Sequence, residues 1–530
     1  MGKSAFAVYK TQKKDEIVKK TTKNDQITKK NRRNKKKLVK AKTTKLIDPK
    51  NIVKTKKQLV IKKKNNKSDK KSLDSNNYVE SEISSLNKTP EETLSYIISP
   101  LPSSDFFTTY WEKNPLHINR KDGGYFKNIF SSKQFDNILR NNPLYYTRNI
   151  DVVTYESGER KTHNPEGRAV PASVWDYYLN GCSVRLLNPQ TYNSKIRNIL
   201  AILQEYFGTM AGANIYLTPP GSQGFAPHFD DIEAFVLQLE GRKHWKIYKP
   251  NIEMTLPRYS SKNFMRNELP GEPTELTLEA GDLLYFPRGF IHEARTDADS
   301  HSLHITISVY QNTSYVDLIE KCLMESLKAA SASDIEFRRG LPLQYLKHVG
   351  LANNKIKSNT RTEIIQTVKN LIGKLSEYVS VDNGADQLGR KFMYDSLPPQ
   401  LTESERVRTC KQDGDFLTNG KVVSRGVFEP DTEVRLIRYH SIRLVLEENV
   451  FKLYYCTENA DVYHGEEEQC LEVNKEMVAT FKVLLKSYPN YKKIEELPNK
   501  DQVELMHVIG DLWEKGLIVT KLPLTVFNDD

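Results

Sequence analysis

Hydrophobic positions take three textures along the chain. Up to about residue 80 apolar side chains are sparse and follow neither a period of two nor one of three to four, so this stretch cannot bury enough surface to offset the entropy of folding. From about 150 to 312 they come in short runs split by Gly, Pro and Asp: "GCSVRLLNP", "NIYLTPPGSQG", "EAFVLQLEGRKHWKIYKP", "TLEAGDLLYFPRG" and "HSLHITISVYQ". That spacing predicts an antiparallel sandwich or barrel. After 313 apolar residues recur three and four apart in "SYVDLIEKCLMESLKAA" (314–330) and "TRTEIIQTVKNLIGKLSEYV" (360–379), which predicts two amphipathic helices.

Order is expected to begin near Thr89, an N-cap followed by Pro90 and two acids in the first turn. "SSDFFTTYWEKNPLHI" (103–118) reads as a helix and then a strand. Beyond 400, strands ("EVRLIRYHSIRLVLEE", "FKLYYCT") mix with helices ("KEMVATFKVLLKSY", "DQVELMHVIGDLWEKG") and a closing strand ("LIVTKLPL"), the order of a winged-helix-like domain. The chain thus divides into a disordered tail over 1–85, a mainly β barrel with a helical lead-in over 86–312, a helical region over 313–395 and a winged-helix-like domain over 396–530. The helical pair serves either to join copies of the chain or to buttress the barrel.

Charge separates the tail from the rest. Residues 1–78 hold 27 Lys and Arg against 6 Asp and Glu, a net of +21; the remainder holds 79 − 27 = 52 basic and 67 − 6 = 61 acidic residues, a net of −9. The cluster KKNRRNKKK (29–37) and Lys62-Lys63-Lys64 suit import into the nucleus or nucleolus and electrostatic contact with RNA or DNA; a merely solubilising tail is the alternative. The winged-helix-like region is rich in acids, which opposes nucleic-acid binding there. The five cysteines are scattered and form no CxxC, against a disulfide framework or zinc knuckle and in favour of a reducing compartment. No run of about 18 apolar residues predicts a membrane span, and the N-terminus has no apolar signal-like region.

The chemistry gathers around "APHFDDIEAFVLQLEGRKHW" (226–245), which reads as a buried β-hairpin carrying His228, Asp230 and Lys243. Residues i and i+2 of an extended chain share a face, so His228 and Asp230 can reach one ion. His292 follows an apolar strand and a Pro-Arg-Gly turn in "GDLLYFPRGFIHEA", 64 positions beyond His228. Two imidazoles and one carboxylate make the facial triad of non-haem Fe(II) oxygenases, preferred over zinc because its open positions suit redox chemistry with a carboxylate co-substrate. His301 and His304 compete for the third place. In "SLHITISV", Ser302, His304, Thr306 and Ser308 share one face, so His304 is read as a cavity residue and His292 as the ligand. Lys243 alternates with the inward Trp245 and Ile247, and an inward lysine needs an anion or loses its charge. A dicarboxylate co-substrate would provide one; a lysine snorkelling to a glutamate is the alternative.

Taken together, His228-x-Asp230, "LEGRKHWKIY", "GDLLYFPRGFIH", "HSLHITIS" and the lead-in "FFTTYWEKNPLHI" resemble the JmjC-type ribosomal oxygenases, and within them the nucleolar branch described as bifunctional lysine-specific demethylases and histidyl hydroxylases. The resemblance runs from about residue 90 to the C-terminus. It implies a double-stranded β-helix, a helical dimerisation region and a C-terminal winged helix. It implies Fe(II) on His228, Asp230 and His292, 2-oxoglutarate on Lys243, dioxygen as second co-substrate, and Arg185, Asn214, Tyr216 and Ser308 on the substrate side. The implied reaction is hydroxylation of a histidine in a large-subunit ribosomal protein, with demethylation of histone lysines as a further activity, in a homo-oligomer of the nucleus and nucleolus. Two other readings stand beside it: a non-catalytic chromatin or ribosome-assembly scaffold, and a zinc cupin isomerase.

Overall fold

Thr89 opens the ordered chain as its sequence predicts. Its hydroxyl accepts from the Glu92 amide at 3.2 Å, and the Glu92 carboxylate accepts from the Thr89 amide at 2.8 Å, closing a capping box on the helix Pro90–Ile98. The computed structural model describes residues 89–423 and 425–527. The basic tail, with the import and nucleic-acid readings placed on it, lies outside the described residues.

A short helix, Ser103–Thr109, leads into a sheet of ten strands: β1 (Leu116–Ile118), β2 (Ile150–Glu156), β3 (Glu159–Thr162), β4 (Ser183–Leu187), β5 (Gly212–Thr218), β6 (Glu233–Tyr248), β7 (Thr274–Glu279), β8 (Leu283–Phe286), β9 (Ile291–Arg295) and β10 (Ser302–Val309). The path runs β1-β8-β6-β10-β5-β4-β2-β3, with β7 and β9 also paired to β6, and each pairing is antiparallel. The first half of β6 pairs with β8 and β10, and its second half with β7 and β9. One bent strand thereby serves both walls of a double-stranded β-helix.

The expected hairpin over 226–245 is therefore not formed. Gly241, at φ +64°, bends β6 without reversing it, and a Cβ there would lie 1.9 Å from the His301 carbonyl oxygen. A register shift in β10 between Leu303 and His304 faces the bend.

Alternation on β10 follows the sequence pattern. Leu303, Ile305, Ile307 and Val309 enter the large core that the helix Ser194–Phe207 and the lead-in cover. The barrel's smaller cluster includes Val236, Trp245, Ile247, Leu284 and Phe286. Arg288 of the Pro-Arg-Gly turn ties lead-in to barrel: its guanidinium bonds Glu112 at 2.6 Å and the fully buried Glu233 at 2.8 Å, and the Tyr285 hydroxyl also donates to Glu233.

Beyond the barrel, Tyr315–Ser333 and Asn359–Leu375 are helical as predicted. A third helix, Val381–Asp395, packs against the first through Gly384, where a Cβ would lie 2.3 Å from Cys322 Sγ. Its apolar pattern is too thin to read in advance. Ile319, Leu323 and Leu327 on the first helix and Ile365, Val368 and Ile372 on the second stay exposed.

In the C-terminal part, Glu433–Leu436 pairs with Ile518–Thr520, and the helices Val478–Ser487 and Gln502–Glu514 pack on them around Phe481, Leu484, Leu505 and Ile509. "EVRLIRYHSIRLVLEE" makes two strands rather than one, Glu433–Leu436 and Ile442–Glu447, in different sheets. Arg438 lies between them, and its guanidinium bonds Glu205 (2.8 Å) and Glu405 (2.7 Å) across the junction with the barrel's helix. Among the described residues no helix is long and apolar enough to cross a membrane.

Candidate active site

His228 and Asp230 lie in extended chain just before β6, not within a strand, and His292 lies on β9. A single antiparallel bridge pairs His228 with His292. Asp230 Oδ2 stands 3.9 Å from His228 Nε2 and 3.8 Å from His292 Nε2, and one donor atom from each of the three falls within 4.8 Å of the others. Backbone carbonyls fix both rings: His228 Nδ1 bonds Ala226 O at 2.8 Å, and His292 Nδ1 bonds Phe290 O at 3.1 Å. A proton on each Nδ1 leaves both Nε2 lone pairs facing Asp230. Burial takes His292 down to about 4, so its ring is neutral. Two imidazoles and a carboxylate are a donor set that fits one divalent metal of the non-haem iron class.

Lys243 sits on the inward face of β6, buried, and its Nζ donates to Thr218 Oγ1 at 3.0 Å. Among the described residues no carboxylate comes within ion-pair reach of it, so the glutamate-paired alternative does not hold. Burial alone lowers its amine to about 7. Close by, His304 Nδ1 and Trp245 Nε1 are buried without hydrogen-bond partners. Trp245 meets His304 edge-on at 5.5 Å, and His304 stacks on Tyr216 at 4.9 Å. A lone buried ammonium beside orphaned ring nitrogens fits an anionic guest. His304 is thus buried between Tyr216 and Trp245, while His301 pairs with Glu240 at 3.2 Å away from the metal donors.

The four residues expected on the substrate side gather on adjoining strands. Asn214, Tyr216 and Thr218 alternate along β5; Arg185 on β4 and His304 on β10 are cross-strand neighbours of Tyr216, and Ser308 is that of Gly212. Asn214 Oδ1 is buried without a partner. Arg185 is buried and held by Asp151, whose Oδ2 accepts from its Nε at 3.1 Å and from its Nη2, while Oδ1 accepts from Asn164 at 2.6 Å. Arg185 also hydrogen-bonds Tyr216.

The sequence reading missed Arg160, Phe225 and Thr218. Arg160, on the edge strand β3, lays its guanidinium 4.4 Å from the centroid of Phe225, with Arg185 at 5.3 Å from the same ring. Burial, and then repulsion from Arg185, lower Arg160 to about 10. "ERKT" carries no signal beyond a charged hairpin edge. Thr218 could have been found from the period of two that selects Asn214 and Tyr216.

A family model for the JmjC domain matches residues 185–318, and a model for the C-terminal winged helix domain of ribosomal oxygenase 1 matches 397–524. The chain is 46% identical over 441 residues to ribosomal oxygenase 1 of Gallus gallus, covering 82% of this chain and 72% of the relative. The chain belongs to the ribosomal oxygenase 1 family. Other members of that family similar to it include the bifunctional lysine-specific demethylase and histidyl-hydroxylase NO66 of Culex quinquefasciatus (46% identical, 81% of this chain and 66% of the relative) and of Dictyostelium discoideum (44%, 80% and 82%). As a JmjC ribosomal oxygenase, the chain is an enzyme, which excludes the purely non-catalytic reading.

Proposed function

We propose that this protein is an Fe(II)- and 2-oxoglutarate-dependent dioxygenase that hydroxylates a histidine of a large-subunit ribosomal protein. His228, Asp230 and His292 hold the metal, and Lys243 holds the far carboxylate of 2-oxoglutarate. The observation that carries this reading is the convergence of three donors from distant parts of the chain beside a buried ammonium with no carboxylate of its own. When bound, the iron with its two co-substrates supplies the oxidising power for attack on a C–H bond. A zinc isomerase leaves Lys243 without an anion to bind.

The chain's own work is binding, orientation and exclusion of water. Lys243 and Thr218 anchor the diacid at the inner end. Phe286 and Trp245 pack around His292, their ring centroids 4.5 and 6.1 Å from its own, and keep the metal side dry. Asp151 fixes Arg185, and Arg185 fixes the Tyr216 hydroxyl, so that Tyr216 is pre-set for the substrate side chain. Asn214 Oδ1 is a free acceptor for an imidazole N–H, with Ser308 further along the same wall.

The electrostatics favour histidine. Two guanidiniums, Arg160 and Arg185, stand on the substrate side with Asp151, and Asp230 is committed to the metal; a neutral imidazole tolerates that balance and a methylated lysine cation is repelled by it. Demethylation of histone lysines, which the names of several relatives include, needs the same oxidant on an N-methyl carbon and is the second reading. Mass spectrometry on both peptide classes separates them: gain of one oxygen on histidine with methyl marks retained supports the proposal, and loss of methyl groups with unmodified histidine overturns it.

The basic clusters at 29–37 and 62–64 support a nuclear and nucleolar location and contact with RNA or DNA. The exposed apolar stripes of Tyr315–Ser333 and Asn359–Leu375 support a homo-oligomer built through the helical region.

A further inference from the structure

We propose that Arg160 is a peptide-binding residue of this site, donating from its guanidinium to an oxygen acceptor, carbonyl or carboxylate, of the substrate chain as it passes Phe225. The inference rests on the peptide-oxygenase reading above and names a contact which that reading does not assign.

Arg160 departs from its own strand. Glu159, Lys161 and Thr162 of β3 are exposed, whereas Arg160 is half-buried and turned onto Phe225. Phe225 precedes His228 by three positions; its ring lies 6.3 Å from the His228 ring and meets Tyr216 edge-on at 5.4 Å. Arg160 therefore stands one ring away from Tyr216, on the side of the site where the substrate is proposed to bind. Its Nε is buried without a hydrogen-bond partner, and among the described residues it forms no ion pair. Asp151, the carboxylate on this wall, is consumed by Arg185 and Asn164. Asp230 faces the two histidines.

A purely structural role fits this poorly. Packing on Phe225 needs only the methylene stem and planar head of the side chain, not a buried donor left unmade beside a second cation. An acceptor carried in by the ligand satisfies the donor and relieves the repulsion between the two guanidiniums. A fork of N–H groups matches either a main-chain carbonyl or a side-chain carboxylate.

The test compares wild type with Arg160→Gln, which keeps a polar stem as far as Cδ but removes the charge and the fork, and Arg160→Lys, which keeps the charge but loses the fork. The probe is a histidine-containing peptide of a large-subunit ribosomal protein. Turnover is read as histidine oxidation, and binding is read separately with Mn(II) in place of iron. Arg160→Gln is expected to raise the peptide KM and dissociation constant roughly ten- to a hundredfold, with kcat and the KM for 2-oxoglutarate unchanged, and Arg160→Lys to recover part of the loss. If the acceptor is a carboxylate, changing one acidic residue of the peptide to its amide weakens wild type and leaves Arg160→Gln unaffected. If it is a carbonyl, the penalty is the same for every such peptide. Unchanged peptide affinity in Arg160→Gln, or a loss of metal or 2-oxoglutarate affinity instead, overturns the proposal. A wild type that binds the peptide without oxidising it sinks the hydroxylase reading alone; one that binds no peptide sinks both.

Discussion

His228 and His292 hold each other in place through their backbones: the His292 amide donates to the His228 carbonyl at 2.8 Å, and the His228 amide donates back at 3.3 Å. The bridge brings together residues 64 positions apart and sets their rings 4.5 Å centroid to centroid. The pair of nitrogen donors is thus a property of the sheet, formed before any metal arrives.

Asp230→Ala removes the third donor while leaving that bridge intact. The carboxylate's near neighbours are the two imidazoles, so its loss orphans no buried partner. Stability should stay within about 0.5 kcal/mol of wild type, while 2-oxoglutarate consumption falls to background and divalent-metal binding weakens. Calorimetric metal titration and an oxygen electrode check both.

Lys243 makes co-substrate binding depend on pH. Its amine is lowered from 10.5 to about 7 in the unliganded fold. Between those values the unfolded chain binds the proton and the folded chain does not, so the stability of the unliganded protein rises with pH across that window. A diacid in the cavity calls the proton back. Its affinity should fall as pH rises above about 7, and calorimetry at pH ~8 in two buffers of different ionisation enthalpy should find uptake of nearly one proton. No uptake would mean the amine is already charged. Lys243→Ala should raise the KM for 2-oxoglutarate about ten- to a hundredfold.

Arg288→Met leaves Glu233 fully buried with the Tyr285 hydroxyl but no cation. Breaking a buried pair from one side costs about 3–5 kcal/mol. Chemical denaturation should show a loss of that order, and a loss below about 1 kcal/mol would mean that the pair behaves as a surface one.

Gly241→Ala should prevent the bend in β6. The new Cβ would meet the His301 carbonyl, and the positive φ adds strain of about 1–3 kcal/mol of its own. Thermal unfolding should show a marked fall, or the protein should fail to accumulate in soluble form.

Leu323→Asp with Leu327→Asp places two charges on the exposed stripe of the helix Tyr315–Ser333. If the proposed homo-oligomer forms through this face, sedimentation should show single chains in the variant, a larger mass in wild type, and the fold retained in both. An unchanged mass would remove this face from the oligomer contact.

By itself the sequence determined everything that depends on a local period. The capping box at Thr89, the two faces of "SLHITISV", the i and i+2 pairing of His228 with Asp230 and the inward turn of Lys243 all follow from how a short backbone directs successive side chains. Tertiary structure decided what those side chains meet. A glycine at positive φ permits a turn or a bend, and only the His301 carbonyl packed against Gly241 makes it a bend. The strand register, not any motif, brings His292 rather than His301 to Asp230. Likewise "ERKT" gives no sign that Arg160 folds over Phe225. A side chain's direction is fixed by its neighbours in the chain, whereas its partners are fixed by contacts whose separation the chain does not encode locally.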